Sequence, residues 1–98
     1  MIARMETIEI SEHQVKLFNF LVSCKGWCTA VEAAESTKVA KRTARAHLIK
    51  FVRAGIVDQA ELWPGHRYRL SGLAEKRNKA LIQRLKQASE ILTSVGNP

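Results

Sequence analysis

At 98 residues, 46% of them apolar, the chain has room for one small domain and carries too many patterned apolar residues for a disordered one. Its formal net charge of +7 favours an anionic partner, either nucleic acid or an anionic membrane surface. No apolar run is long enough to span a bilayer, and Glu6 and Glu9 interrupt Met1 to Ile10 where a signal peptide is uncharged, so a cytoplasmic protein is expected.

Residues 1–10 read as an N-terminal arm. Ser11 and Gln14 have the spacing of a capping box, and Ile10 with Val15 that of a hydrophobic staple, which predicts a helix from Ser11. Val15, Phe18, Leu21 and Val22, widened by Leu17, give that helix one apolar stripe. Lys25-Gly26 predicts its end, through a glycine in the left-handed conformation. Trp27-Cys28 then forms a short extended link. Cys24 and Cys28 are the only cysteines, and His13, His47 and His66 are scattered. The thiols read as small apolar groups rather than zinc ligands, with a redox pair as the other functional reading, and neither metal nor cofactor is expected.

Thr29 and Glu32 form a second capping box, which opens a short helix through Val31, Ala33 and Ala34. The pattern breaks at Ser36-Thr37, and a basic helix starts near Ala40. From Lys38 to Arg53 the chain carries Lys38, Lys41, Arg42, Arg45, Lys50 and Arg53 and no acidic residue. Helical spacing places Ala44, Leu48, Phe51 and Val52 on one face and leaves the basic groups largely off it. Ala54-Gly55 ends this helix. A short helix, a few turn residues and a longer basic helix make a helix-turn-helix.

Beyond Gly55 the period becomes that of strands. Ile56 to Leu62 and Arg67 to Leu70 flank Trp63-Pro64-Gly65-His66, a turn signal because Pro presets φ and Gly accepts positive φ, so a β-hairpin is predicted. Tyr68 and Leu70 fall on one face of the second strand, and Arg67 and Arg69 on the other. Helical composition returns from Ser71 to about Ser94. Leu81, Leu85, Ala88, Leu92 and Val95 have the spacing of a heptad seam, which predicts pairing with a second copy. Asn78 extends that seam backwards to a core position where a buried Asn fixes register. Ile82 and Ile91 lie off the seam, which leaves packing on the first helix as the other arrangement.

Three segments occur in this order: Val39-Ala40-Lys41-Arg42-Thr43-Ala44-Arg45-Ala46-His47-Leu48, Ala54-Gly55-Ile56-Val57 and Tyr68-Arg69-Leu70-Ser71. With the order of elements around them, the chain resembles the winged helix-turn-helix domain of small bacterial and archaeal transcriptional regulators, such as the MarR-like and ArsR-like repressors. The resemblance spans about residues 11 to 95. It implies a mainly α fold with a small β-hairpin (α+β), with a winged helix-turn-helix over 11–70 and a long C-terminal dimerisation helix over 71–95. One departure is Ala40, where such domains carry Ser or Thr, leaving Thr37 or Thr43 as substitutes.

The resemblance further implies a homodimeric repressor that binds double-stranded DNA sequence-specifically and is nucleoid-associated when bound. The helix from about Ala40 to Ala54 would enter the major groove, with Arg42 and Arg45 on guanines and Thr43, Ala46 and His47 as further contacts. Lys38, Lys41 and Lys50 would hold phosphates, and His66, Arg67 and Arg69 on the wing would grip the backbone or minor groove. Asn78, Leu81, Leu85, Ala88, Leu92 and Val95 would pair two copies over half-sites one duplex turn apart, a site of roughly 16 to 22 base pairs. Two other functions fit the same residues: a plasmid or phage protein that binds a centromere or origin, and a protein-interaction module that does not bind DNA. No Gly-rich phosphate loop, activated nucleophile or carboxylate cluster is present in the sequence, so no enzymatic activity is expected.

Overall fold

The computed structural model describes residues 10–62 and 65–95, with side chains as far as residue 91 apart from that of Leu62. The arm before Ile10, Trp63 and Pro64 of the turn, and the Leu92 and Val95 side chains of the seam therefore lie outside the described residues. The order of elements is α1 (Glu12–Ser23), α2 (Ala30–Thr37), α3 (Lys41–Arg53), β1 (Val57–Leu62), β2 (Gly65–Leu70), α4 (Ala74–Arg77) and α5 (Lys79–Val95). The class is α+β, mainly helical with one two-stranded antiparallel hairpin.

Both capping boxes form. The Gln14 backbone N–H donates to the Ser11 hydroxyl at 3.3 Å, and the Ser11 N–H donates to the Gln14 side chain at 3.0 Å. The Glu32 N–H donates to the Thr29 hydroxyl at 3.0 Å, and the Thr29 N–H donates to the Glu32 carboxylate at 2.9 Å. Helix α1 ends earlier than Gly26 predicts. Cys24 terminates it in an extended conformation, and Gly26 does not take positive φ. After Cys24 the chain bends at Gly26 and reaches β geometry at Cys28.

There Cys28 pairs with Tyr68, its N–H and carbonyl each bonded at 2.8 Å to the main chain of β2. Strand β2 is thus held on both edges, by β1 on one and by this single bridge on the other. The β1–β2 register runs from Val57 opposite Leu70 to Leu62 opposite Gly65. Gly65 and His66, read from the sequence as turn residues, are therefore paired strand residues. Tyr68 faces the core and is buried, and Arg69 is exposed on the other face.

One continuous core joins all these elements. Val15, Leu17, Phe18 and Leu21 from α1 meet Ala33 and Ala34 from α2, Ala44, Leu48 and Phe51 from α3, Ile56 from the turn before β1, and Val57 and Tyr68 from the hairpin. Leu81, Ile82 and Leu85 of α5 close it, packed with α1. Asn19 and Ser89 clamp that helix pair, the Asn19 amide donating to the Ser89 hydroxyl at 3.0 Å.

These contacts correct the reading of the C-terminal segment in two ways. Leu81 and Leu85 are not free to form a seam with another chain, because they fill this chain's own core at 5% and 0% exposure. Buried Ile82 widens the stripe beyond a heptad seam, and Ala88 is half-buried against the same cluster. Asn78 is not a register residue between two copies either. The helix breaks there, and the Asn78 side chain donates to the Ala54 carbonyl at 3.1 Å while accepting from the Leu81 N–H at 3.2 Å. It caps α5 and ties that helix to the end of α3.

Replacing Asn78 by Ala is expected to lower stability by about 1–2 kcal/mol, through loss of the cap and of the bond to Ala54. Chemical denaturation measures the loss. Sedimentation of the same variant should show an unaltered association state, and a shift there would restore Asn78 to an interface between copies.

Candidate nucleic-acid interface

Helix α3 sorts its residues by burial. Ala44, Leu48 and Phe51 point into the core, while Lys41, Arg42, Arg45, Ala46, Lys50 and Arg53 are exposed. Arg42, Arg45, Ala46 and Ile49 recur at helical spacing on the outward side. With Lys41 they line an open depression of about 570 Å³. The described ion pairs are Lys16 with Glu12, Asp58 with Arg69 and Arg77, and Lys86 with Glu75. Among the described residues, then, no cation of α3 is matched by a carboxylate. The result is a positively charged ridge whose direction the core sets.

Lys38 stands apart from that helix. It caps α2 in the left-handed conformation, with φ 61°, and is exposed just before α3 begins. Buried Val39 anchors the turn between the two helices. Ala40 supplies no side-chain cap to α3. Thr37 does not substitute for it, because its hydroxyl donates back to the Ala33 carbonyl at 2.7 Å, within α2. Thr43 is half-buried on the flank of α3.

His47 also departs from the expected outward position. It is half-buried on the α1 side, its ring 6.5 Å from that of His13, and its Nδ1 is buried with no hydrogen-bond partner. Burial, then the neighbouring Lys50 and His13, lower its pKa below the usual value. A buried unpartnered nitrogen resists protonation because the cation would lose water without gaining an acceptor.

On the hairpin, the three residues read as wing contacts separate. Arg69 is held in place: its guanidinium lies 4.4 Å from the centre of the Trp27 ring, and its Nε pairs with Asp58 at 3.3 Å. Asp58 also takes Arg77 at 3.7 Å. Arg69 is thus a positioning residue that joins the link after α1 to the hairpin, rather than a free cation at the tip. Each of these exposed contacts contributes only about 1 kcal/mol or less. Arg67 and His66 are half-buried nearer the tip, with the His66 Nδ1 3.2 Å from the side-chain nitrogen of Gln59.

Sequence reasoning left out Ile49, although its place seven residues after Arg42 puts it on the outward face. It also missed the row Trp27, Arg69, Asp58 and Arg77, which needs the pairing at Cys28 and therefore has no local signal. Of the cysteines, Cys28 is buried, and burial together with nearby Cys24 pushes its thiol up to about 12. At neutral pH it is a protonated thiol, 3.4 Å from the Tyr68 carbonyl, and it packs as an apolar group. Among the described residues no three His, Cys, Asp or Glu side chains gather, and no helix is long and apolar enough to cross a membrane. No protein-family model matches the chain, and no curated protein matches its sequence.

The His47 shift has a definite sign. The unfolded chain takes up its proton near the ordinary value of 6.5 and the folded chain at lower pH. The stability carried by neutral His47 is complete above that value and is lost as pH falls through the folded pKa. In denaturant unfolding between about pH 7 and about pH 5, His47→Gln should flatten the decline in stability relative to wild type. Parallel declines in the two proteins would show that His47 does not titrate in this way.

Proposed function

We propose that the chain is a double-stranded-DNA-binding transcriptional regulator built on a winged helix-turn-helix, with α3 as recognition helix and the β1–β2 hairpin as wing. The outward face of α3 carries this reading: a ridge of Lys and Arg without carboxylate partners among the described residues, on a helix fixed by its buried side. A polyanion with a groove about 12 Å wide suits a ridge of one helix's width. Arg42 and Arg45 are the contacts to guanine, and Lys38, Lys41, Lys50 and Arg53 bind phosphates. Arg67 and His66 extend the contact from the hairpin, and Arg69 holds the hairpin in place. His47, half-buried toward α1, tunes stability rather than bases.

Self-association is part of the same proposal. With Leu81 and Leu85 inside the core, the contact between copies moves to the later part of α5, where Ile91 is 62% exposed. Two copies joined there would act as a repressor over paired half-sites.

Duplexes selected from genomic fragments and followed by fluorescence anisotropy test the first claim. Arg42→Ala and Arg45→Ala should each lose about 1–3 kcal/mol of binding. Equal binding by the double variant and wild type at moderate salt would remove α3 as the reading element. For association, sedimentation at micromolar concentration should show a wild-type dimer and an Ile91→Lys monomer. A monomeric wild type would contradict the dimer.

A further inference from the structure

Two apolar side chains stand among the cations of the outward face of α3. Ala46 is exposed and Ile49 half-buried, and both line the depression with Lys41, Arg42 and Arg45. Ile49 does not belong to the core. The partly buried apolar groups packed on the core from this end of the helix are Val52 and Ala54. Arg42, Arg45, Ala46 and Ile49 follow the i, i+3, i+4, i+7 rule, so the aliphatic pair forms a strip along the middle of the ridge.

An isoleucine in that place gains nothing from water or from phosphate. Among the base edges in the major groove there is one apolar group, the C5-methyl of thymine. We infer that Ala46 and Ile49 read thymine methyl groups beside the guanines bound by Arg42 and Arg45. The inference rests on α3 being the recognition helix, and it adds a base preference to it. Seven residues of helix advance about 10 Å. At 3.4 Å per base pair that is about three steps. The preferred half-site therefore places thymine within about three base pairs of a guanine.

Deoxyuridine is the probe, because it differs from thymidine only by that methyl and keeps the same pairing and hydrogen-bonding edges. The full chain is first used to select duplexes from a randomised pool, and the selected site is remade with uracil at each thymine in turn. Wild type should bind about fourfold more weakly for each contacted methyl removed. Ile49→Ala retains a good helix former and should fold. It should bind the thymine duplex more weakly and, at the thymine that Ile49 contacts, distinguish thymine from uracil less than about twofold.

Equal binding of thymine and uracil sites by wild type overturns the inference. So does an Ile49→Ala protein that melts earlier yet keeps the full preference, since Ile49 would then only support the fold. Either result, with binding still dependent on Arg42 and Arg45, leaves the recognition-helix reading standing. Failure to bind any duplex would remove both.

Discussion

The inward stripe of α3 is the constraint from which the rest follows. Ala44 and Leu48 have no exposed surface and Phe51 has 2%. Rotating this helix enough to hide its cations would bring these groups into water, at about 1.5–3 kcal/mol for each large side chain. No surface ion pair competes with that. Helix α3 therefore presents Arg42, Arg45 and Ile49 outward because of what lies behind them, and α1, α2 and β1 are packed so as to receive its other face.

The C-terminal end of α3 is where the remaining elements are joined. Gly55 leaves the helix at φ 87°, with its N–H on the Val52 carbonyl and the Ile56 N–H on the Phe51 carbonyl. A Cβ at Gly55 would touch Arg77 at an ordinary contact distance of 3.4 Å, so it is the positive φ of the turn, not the space, that calls for glycine. Arg77 reaches Asp58 from there, Asp58 reaches Arg69, and Arg69 lies over Trp27. Asn78 adds the bond to Ala54 and starts α5. These weak contacts are connected in series, so the hairpin is positioned with respect to α3 and α1 together.

What the sequence made legible depended on the range of each interaction. The capping boxes at Ser11 and Thr29 could be read because both partners lie within three residues, and the inward stripe of α3 because its period is repeated over three turns. The end of α1 was misplaced because Gly26 can take positive φ but need not, and the pairing of Cys28 with Tyr68 asked for an extended exit. The stripe of α5 was ambiguous: over two heptads, periods of 3.5 and 3.6 differ by only about 40° of rotation, so the same leucines suit a partner chain or α1. Ile82 pointed to the latter. The binding of Arg69 by Trp27 and Asp58 had no local trace at all, and in the sequence it looked like a free cation.

The start of α3 sharpens the contrast between what this chain stabilises and what it leaves open. Helices α1 and α2 begin with a side-chain cap and a carboxylate in the first turn, Glu12 and Glu32. Helix α3 begins at Ala40 without a cap, without an acid, and with Lys41 and Arg42 at the positive end of its dipole. A missing cap costs about 1 kcal/mol, and cations at that end cost a few tenths to 1 kcal/mol more. Burial of Leu48 and Phe51 exceeds that by about two- to threefold, so the helix forms regardless. An anion at the same end would reverse both terms, meeting the open N–H groups and the cations at once. The start of α3, which carries Arg42, is thus less satisfied than the starts of α1 and α2, and phosphate placed there would remove a penalty that the free chain keeps.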